Sequence, residues 1–133
     1  MLVKGSKFSD ERGTVSFVNS FDMTPIVWMY CIEPKTRIIL AWQGHKKESK
    51  WFYCVKGSFL LKTVDMNSLE RVEYRLSSKM SEVLEIKPGL YNGFEALEER
   101  SALMVYSDFD LDSSKQDDFR ETLENIKWES SKD

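Results

Sequence analysis

The chain has 133 residues, of which 41% are hydrophobic and 31% are charged, and its net charge is −3. This length suits one domain with its own core, which we expect to span 1–133 and to need neither a metal nor a disulfide to fold. No block of Lys and Arg favours nucleic acid or an anionic membrane, no apolar run approaches about 20 residues, and "MLVKGSKFSDERG" has no apolar signal region. We therefore expect a cytoplasmic protein with no nucleic-acid or membrane partner, in which Cys31 and Cys54 stay reduced.

Short β-branched and aromatic runs, separated by turn residues, follow a polar N-terminal stretch. They predict strands at 14–18, 25–33, 36–43, 51–56, 58–65, 69–76, 82–87 and 101–108. Gly57 predicts a hairpin between the fourth and fifth of these runs, and Pro88-Gly89 predicts a turn. Many short strands at close spacing indicate an all-β sandwich or barrel.

Only the tail, 114–130, has helical character. Ser114 is a plausible N-cap, and Phe119, Leu123 and Ile126 share one face of the predicted helix. The sequence thus predicts an all-β domain with a short C-terminal helix.

In a β-strand, side chains at i, i+2 and i+4 share a face. This alternation predicts which residues near His45, the one histidine of the chain, lie on the same face. One predicted face carries Arg37, Ile39, Ala41, Gln43 and His45, and the opposite face carries Ile38, Leu40 and Trp42. In the next strand Lys50, Phe52 and Cys54 oppose Trp51, Tyr53 and Val55. If the first face of each strand points into a barrel, its mouth holds Gln43, His45 and Lys50 together. The outer aromatic surface then needs a second sheet or a partner subunit to cover it.

The same stretch resembles the first motif of metal-binding cupins, G-x5-H-x-H-x3,4-E-x6-G. Counted back from Gly57, the Glu position falls on Lys50 and the two His positions fall on Gln43 and His45. "KPGLYN" resembles the second motif, with Asn92 in the place of its His. A lysine ammonium is a poor neighbour for a cation, and one His cannot hold a transition metal alone. The resemblance therefore implies a metal-free cupin without a cofactor.

Four segments in order are similar to the nucleotide-sugar cupins over roughly 10–120. This RmlC-like and WxcM-like group contains dTDP-4-dehydrorhamnose 3,5-epimerases and dTDP-4-keto-6-deoxyhexose 3,4-ketoisomerases. The segments are "DERGTVSFV" (10–18), "GHKKESKWFYCVKGSF" (44–59), "IKPGLYNGFEAL" (86–97) and "MVYSDFDLDSSKQDDFR" (104–120). The resemblance implies an RmlC-like jelly-roll cupin barrel.

The chain departs from these enzymes at their R-G-x-H core, which here reads Leu40, Ala41, Trp42 and Gln43. An amide such as that of Gln43 is too weakly basic to accept a proton near neutral pH. The candidate catalytic residues are His45 as base, Lys50 as the cation that stabilises an enolate, and Tyr106 as acid. The candidate substrate-binding residues are Arg12, Arg37, Gln43, Tyr91 and Asn92.

The resemblance implies an isomerase or epimerase that acts on a dTDP-linked 4-keto-6-deoxyhexose by proton transfer through an enediol, in deoxysugar and polysaccharide biosynthesis. The alternatives are a non-catalytic nucleotide-sugar-binding cupin and a metal cupin with other ligands. His45 as a structural residue and Lys50 as a solvated charge also stay open. We further expect a homodimer that pairs through Trp42, Trp51 and Tyr53.

Overall fold

A computed structural model describes residues 1–129, which are almost entirely β-structure. The strands are Leu2–Lys4 (β1), Ser6–Asp10 (β2), Gly13–Phe17 (β3), Trp28–Ile32 (β4), Ile39–His45 (β5), Lys50–Lys56 (β6), Ser58–Asp65 (β7), Arg71–Ser77 (β8), Glu82–Ile86 (β9), Leu90–Ala96 (β10), Ala102–Ser107 (β11) and Phe119–Arg120 (β12). One short helix, Leu111–Lys115 (α1), lies between β11 and β12.

Two five-stranded sheets and a hairpin make up the architecture. The first sheet has the order β1-β9-β6-β11-β4, the second has the order β12-β5-β10-β7-β8, and β2 pairs with β3 alone. Every strand pairing is antiparallel. The main core lies between the two sheets, and its fully buried members include Phe52, Phe59, Leu61, Leu84, Leu103 and Val105. The predicted all-β fold is confirmed.

Each of the eight predicted runs contains a strand, but four strands were missed. β1 and β2 lie in the polar N-terminal stretch, and β12 is only two residues long. β10 follows Pro88-Gly89 directly and contains Asn92 and Gly93, residue types that are rare in strands.

The predicted hairpin at Gly57 is wrong, because β6 and β7 belong to different sheets. Gly57 is the corner at which the chain crosses from one sheet to the other. Its φ is 72°, and a Cβ there would lie 2.1 Å from Ser101 Oγ. A residue with a side chain would therefore strain this corner.

The predicted helix over 114–130 is also wrong as far as the described residues reach; residue 130 lies outside them. The helix is α1, its N-cap is Asp110, and the Ser114 side chain is buried. After α1 the chain forms β12 on the edge of β5. Leu123 and Ile126 then pack on the outer side of the second sheet, so this tertiary contact overrides the local helical pattern.

The chain itself covers the outer aromatic surface of both sheets. Trp42 is 1% exposed and stacks on Trp128 at 5.4 Å, and Trp51 packs against Phe21 at 6.3 Å. The prediction that Trp42 and Trp51 offer free apolar surface to a second subunit is therefore wrong. Cys31 and Cys54 are free thiols, as predicted, but only Cys54 is buried and Cys31 is exposed. Within residues 1–129 no helix has the length and apolarity needed to cross a bilayer.

Candidate functional site

A bulge in β5 sets which of its side chains face the barrel. The register between β5 and β10 shifts between Asn92 and Phe94. Ala41 and Trp42 both lie against Gly93, where a Cβ would be 2.6 Å from Ala41 Cβ and 3.2 Å from Trp42 Cε3. The predicted shared face holds for Gln43 and His45, but it fails for Ile39 and Ala41, which pack with Trp42 on the outer cluster.

The mouth of the barrel contains a cavity of 360 Å³. Its lining is Ile32, Ile39, Leu40, Ala41, Trp42, Gln43, Asn92, Phe94 and Arg120. The polar members come from three adjacent strands, β5, β10 and β12, because β12 pairs with the edge of β5 at Gln43. An apolar cavity with a few convergent polar groups is the usual form of a small-molecule site.

The Gln43 amide is held at both ends by charged groups. Lys50 Nζ donates to Gln43 Oε1 at 3.3 Å, and Gln43 Nε2 donates to Asp118 Oδ1 at 3.2 Å. Arg120 Nε donates to the same Asp118 oxygen at 2.8 Å, and Asn92 Nδ2 donates to the Gln43 backbone carbonyl at 3.1 Å. The amide orientation is thus fixed, with its oxygen toward Lys50.

Lys50 lies in the barrel wall behind Gln43 and is only 4% exposed. Burial lowers the pKa of its ammonium, and Arg120 lowers it further, while the carboxylates of Glu48 and Asp118 oppose the shift. The Lys50 Nζ lies 5.7 Å from the ring centre of Tyr30, which faces inward from β4. Burial of Tyr30, and the nearby Glu48 charge, raise the pKa of its phenol to about 12.

His45 is 3% exposed, and its two ring nitrogens have different surroundings. Nδ1 lies 2.5 Å from the backbone carbonyl oxygen of Asp117 and 3.5 Å from Glu48 Oε1. Nε2 is buried without a hydrogen-bond partner among residues 1–129. Because a carbonyl oxygen can only accept, Nδ1 carries the proton of the neutral ring and Nε2 keeps its lone pair.

Glu48 and Asp117 lie beside His45, and the ligand atoms of the three residues are all within 4.8 Å of one another. Their oxygens are nevertheless already engaged. Glu48 accepts hydrogen bonds from the hydroxyls of Ser107 and Ser114 at 2.6 Å each. Asp117 accepts three, from the backbone amides of residues 46 to 48, at 2.8 to 2.9 Å. This donor set fits a buried polar network that fixes the loop after β5 better than it fits a metal centre.

The structure does not bring four of the predicted site residues to the mouth. Tyr106 points outward from β11 and packs against Phe21. Tyr91 packs on the outer cluster around Trp42. Arg12 lies in the turn of the β2–β3 hairpin and pairs with Asp10, and Arg37 lies before β5, 3.9 Å from Glu95.

Five residues of the site were missed: Tyr30, Glu48, Asp117, Asp118 and Arg120. The alternation of Trp28, Tyr30 and Ile32 in β4 could have placed the phenol inside. The other four act through contacts that no local periodicity encodes; Asp117, for example, caps a loop about 70 residues earlier.

A larger cavity, of 620 Å³, lies outside the barrel near α1. The charged residues in its lining include Lys46, Lys47, Asp108 and Asp110, and Lys46 lies 4.4 Å from the ring centre of Phe119. It lacks the inward-facing polar groups of β5, β6 and β10, so the barrel mouth is the better candidate site.

No protein-family model matches the chain, and no curated protein sequence matches it. Among solved structures, the chain is similar to dTDP-4-dehydrorhamnose 3,5-epimerase from Sulfolobus tokodaii, with a TM-score of 0.79, 21% identity and coverage of 96% of this chain and 79% of that one. It is also similar to the sugar 3,4-ketoisomerase QdtA from Thermoanaerobacterium thermosaccharolyticum in complex with TDP, with a TM-score of 0.76, 22% identity and coverage of 95% and 90%.

A third likeness, to the rmlC epimerase of Mycobacterium tuberculosis, has a TM-score of 0.76 and 16% identity. It covers 90% of this chain but only 66% of the mycobacterial one, so the chain spans about two thirds of that protein's length. At these identities the likeness concerns the fold. The chain therefore has the RmlC-like cupin fold expected from its sequence.

Proposed function

We propose that the chain is an isomerase or epimerase that acts on a dTDP-linked 4-keto-6-deoxyhexose by proton transfer through an enediol. The observation that supports this most is the polar cluster at the barrel mouth, in which the buried side chain of Lys50 lies behind the Gln43 amide. Solved structures of the same fold include a 3,4-ketoisomerase with bound TDP. A role in deoxysugar biosynthesis follows from this substrate class.

His45 is the proposed base. Its Nδ1–H is held by the Asp117 carbonyl, so the unpartnered Nε2 is the nitrogen that can take a proton. Glu48, 3.5 Å from Nδ1, would stabilise the imidazolium that results. A single base of this kind suits a proton shuttle between neighbouring carbons, or epimerisation at one carbon.

The proposed oxygen-stabilising groups are Lys50 and Asn92. An enolate oxygen placed where Gln43 Oε1 now lies would accept a hydrogen bond from Lys50 Nζ. Asn92 borders the same cavity with an amide donor. Tyr30 replaces Tyr106 as the proposed acid, because its ring faces the interior, 5.7 Å from Lys50 Nζ, whereas Tyr106 points outward.

Arg120 is the proposed diphosphate contact, since it is the cationic side chain in the cavity lining. Arg37 and Arg12 are not proposed as substrate contacts, because both side chains are largely exposed and neither lines the cavity.

The test is a panel of dTDP-4-keto-6-deoxy sugars incubated with the protein in deuterated water and followed by NMR. We expect deuterium at a carbon next to the ketone with wild type, and its loss in the His45→Ala variant. An unfolding curve for the variant checks that it folds. Full deuterium wash-in by a folded His45→Ala protein would remove His45 from the mechanism.

The second candidate is a nucleotide-sugar-binding protein without turnover. Gln43 favours it, because an amide stands where the enzymes that the sequence resembles have their base. Calorimetry separates the two candidates: dTDP binding without exchange in any keto sugar supports the binding protein. No binding of any nucleotide sugar contradicts both.

A homodimer remains a proposal, now through a different surface. β4 is an edge strand of its sheet, and Met29 on its outer face is 63% exposed. An exposed apolar edge strand is a ready site for pairing with a second copy. A monomeric mass by light scattering would reject the dimer.

A further inference from the structure

Two lysines of the barrel strands are almost fully buried, and their surroundings differ. Lys62 is 3% exposed, donates to the Trp128 carbonyl oxygen at 2.7 Å, and lies 3.6 and 3.9 Å from the carboxylates of Glu129 and Glu73. Lys50 makes one hydrogen bond, to the neutral amide of Gln43 at 3.3 Å. Within residues 1–129 it has no carboxylate within ion-pair distance.

A buried ammonium without an adjacent anion is costly, because it has lost its hydration and gained no ion pair. The lysine can avoid this cost by giving up its proton. The charged groups around Lys50 are Glu48, Asp118 and Arg120, and the balance of burial and these charges lowers its pKa. Lys50 does not line the 360 Å³ cavity itself but lies behind Gln43, which does. A neutral lysine amine is a nucleophile, whereas an exposed lysine at neutral pH is a protonated ammonium.

We propose that Lys50 is the nucleophilic amine of this site and condenses with the carbonyl group of a keto ligand to form an imine. Nζ attacks the carbonyl carbon, and a proton passes from the nitrogen to the oxygen to give a neutral carbinolamine. The carbinolamine hydroxyl takes a second proton from solvent and leaves as water, and the protonated imine remains; the final hydrolysis returns that proton to solvent. The iminium withdraws electrons from the neighbouring C–H bond, so a proton moves to the base and an enamine forms. Reprotonation at carbon and hydrolysis by water then release product and the free amine.

The position of Gln43 suits this step. Its amide borders the 360 Å³ cavity on one side and accepts from Lys50 Nζ on the other. A ligand carbonyl that displaces Gln43 Oε1 therefore meets the amine directly. Gln43 itself cannot accept a proton, and an iminium lessens the need for a strong base at that position. The ligand class rests on the proposed function; the reactivity of the amine does not.

The first experiment is reductive trapping of the wild-type protein at pH 7 with hydroxyacetone and sodium cyanoborohydride, followed by peptide mapping by mass spectrometry. We expect Lys50 to be labelled at least tenfold more than Lys62, which is equally buried but ion-paired, and more than any exposed lysine. Labelling of Lys50 at or below the level of Lys62 would overturn the proposal. Because no variant is needed, misfolding cannot confuse the result.

The second experiment compares Lys50→Arg with Lys50→Met, using a dTDP-4-keto-6-deoxy sugar that the wild type exchanges in deuterated water. The arginine variant keeps a cation but cannot form an imine, so we expect both variants to lose wash-in by more than 100-fold. Wash-in retained by Lys50→Arg would show that charge alone suffices and would overturn the imine. Selective labelling by hydroxyacetone without binding of any nucleotide sugar would uphold the amine and contradict the proposed function instead.

Discussion

Asp117→Asn tests the network that fixes His45 and the loop after β5. In the wild type, one Asp117 oxygen accepts from the amide of Lys46 and the other accepts from the amides of Lys47 and Glu48. An asparagine keeps a single acceptor oxygen, and its NH₂ group must face at least one backbone N–H. The substitution changes few atoms but removes the charge and one of the acceptors.

The magnitude follows from these three bonds. Hydrogen bonds to a charged group contribute about 1 kcal/mol more than neutral ones, so the two bonds that survive lose roughly 2 kcal/mol together. The amide left without an acceptor adds about 1 kcal/mol or more. We expect the free energy of unfolding to fall by roughly 3 kcal/mol, which for a chain of this length is on the order of 10 °C in Tm.

Urea unfolding at pH 7 measures this loss, with Asp112→Asn, an exposed aspartate of α1, as the matched control expected to change stability by less than about 0.5 kcal/mol. Burial works against ionisation of the Asp117 carboxyl, but the three amide hydrogen bonds outweigh it, and its pKa is lowered below 3.8. Its stabilisation is therefore present above pH 3.8 and disappears as the pH falls through the lowered value. The difference in free energy of unfolding between wild type and Asp117→Asn should shrink in that range. A loss below about 1 kcal/mol at pH 7, or a gap that is unchanged at low pH, would refute this account of the network.

Three further substitutions test other parts of the structure. Trp128→Ala removes the ring stacked on Trp42 and should cost about 3 kcal/mol in urea unfolding, whereas Phe8→Ala, at an exposed ring, should cost almost nothing. Burial raises the pKa of the Tyr30 phenol to about 12, so the free energy of unfolding of the wild type should fall as the pH rises from 10 to 12. Tyr30→Phe lacks this phenol and should lose less stability over the same range. Equal pH profiles of the free energy of unfolding would contradict the burial of the phenol. Gln43→His places an imidazole between Lys50 and Asp118, and deuterium wash-in should fall, because a ring nitrogen would compete with a ligand for the Lys50 amine; a rise in wash-in would show instead that a missing base at position 43 limits the reaction.

The sequence predicted the fold well because alternation and turn residues are local signals. Every apolar run became a strand, and "SFLLKTVD" matched β7 residue for residue. The errors occur where a long-range contact decides the outcome. Gly57 has the composition of a hairpin turn, yet Ser101 packs against it and the chain changes sheets there. The tail has a helical pattern, yet Trp42 Nε1 donates to the Ile126 carbonyl oxygen and the tail follows the sheet surface instead.

The site was predicted in part for the same reason. Gln43, His45 and Lys50 come from strands whose alternation can be read directly, whereas Asn92 lies in the missed strand β10 and was predicted from its place in the second cupin motif. The bulge in β5 reverses that alternation before Gln43, which is why Ala41 lies on the unexpected side. A one-residue bulge leaves no mark in composition, and only the pairing with Asn92 and Phe94 reveals it.

Gln43 and Lys50 are best understood as a pair. The amide of Gln43 accepts a hydrogen bond from Lys50 through its oxygen and donates one to Asp118 through its NH₂ group. The amide therefore lies between the buried lysine and the Asp118 carboxylate. A histidine at position 43 could still donate one ring N–H to Asp118. Its other ring nitrogen would compete with a ligand carbonyl for the Lys50 amine. The amide of Gln43 thus keeps Lys50 both buried and without an ion pair, which is the state that the proposed imine chemistry requires.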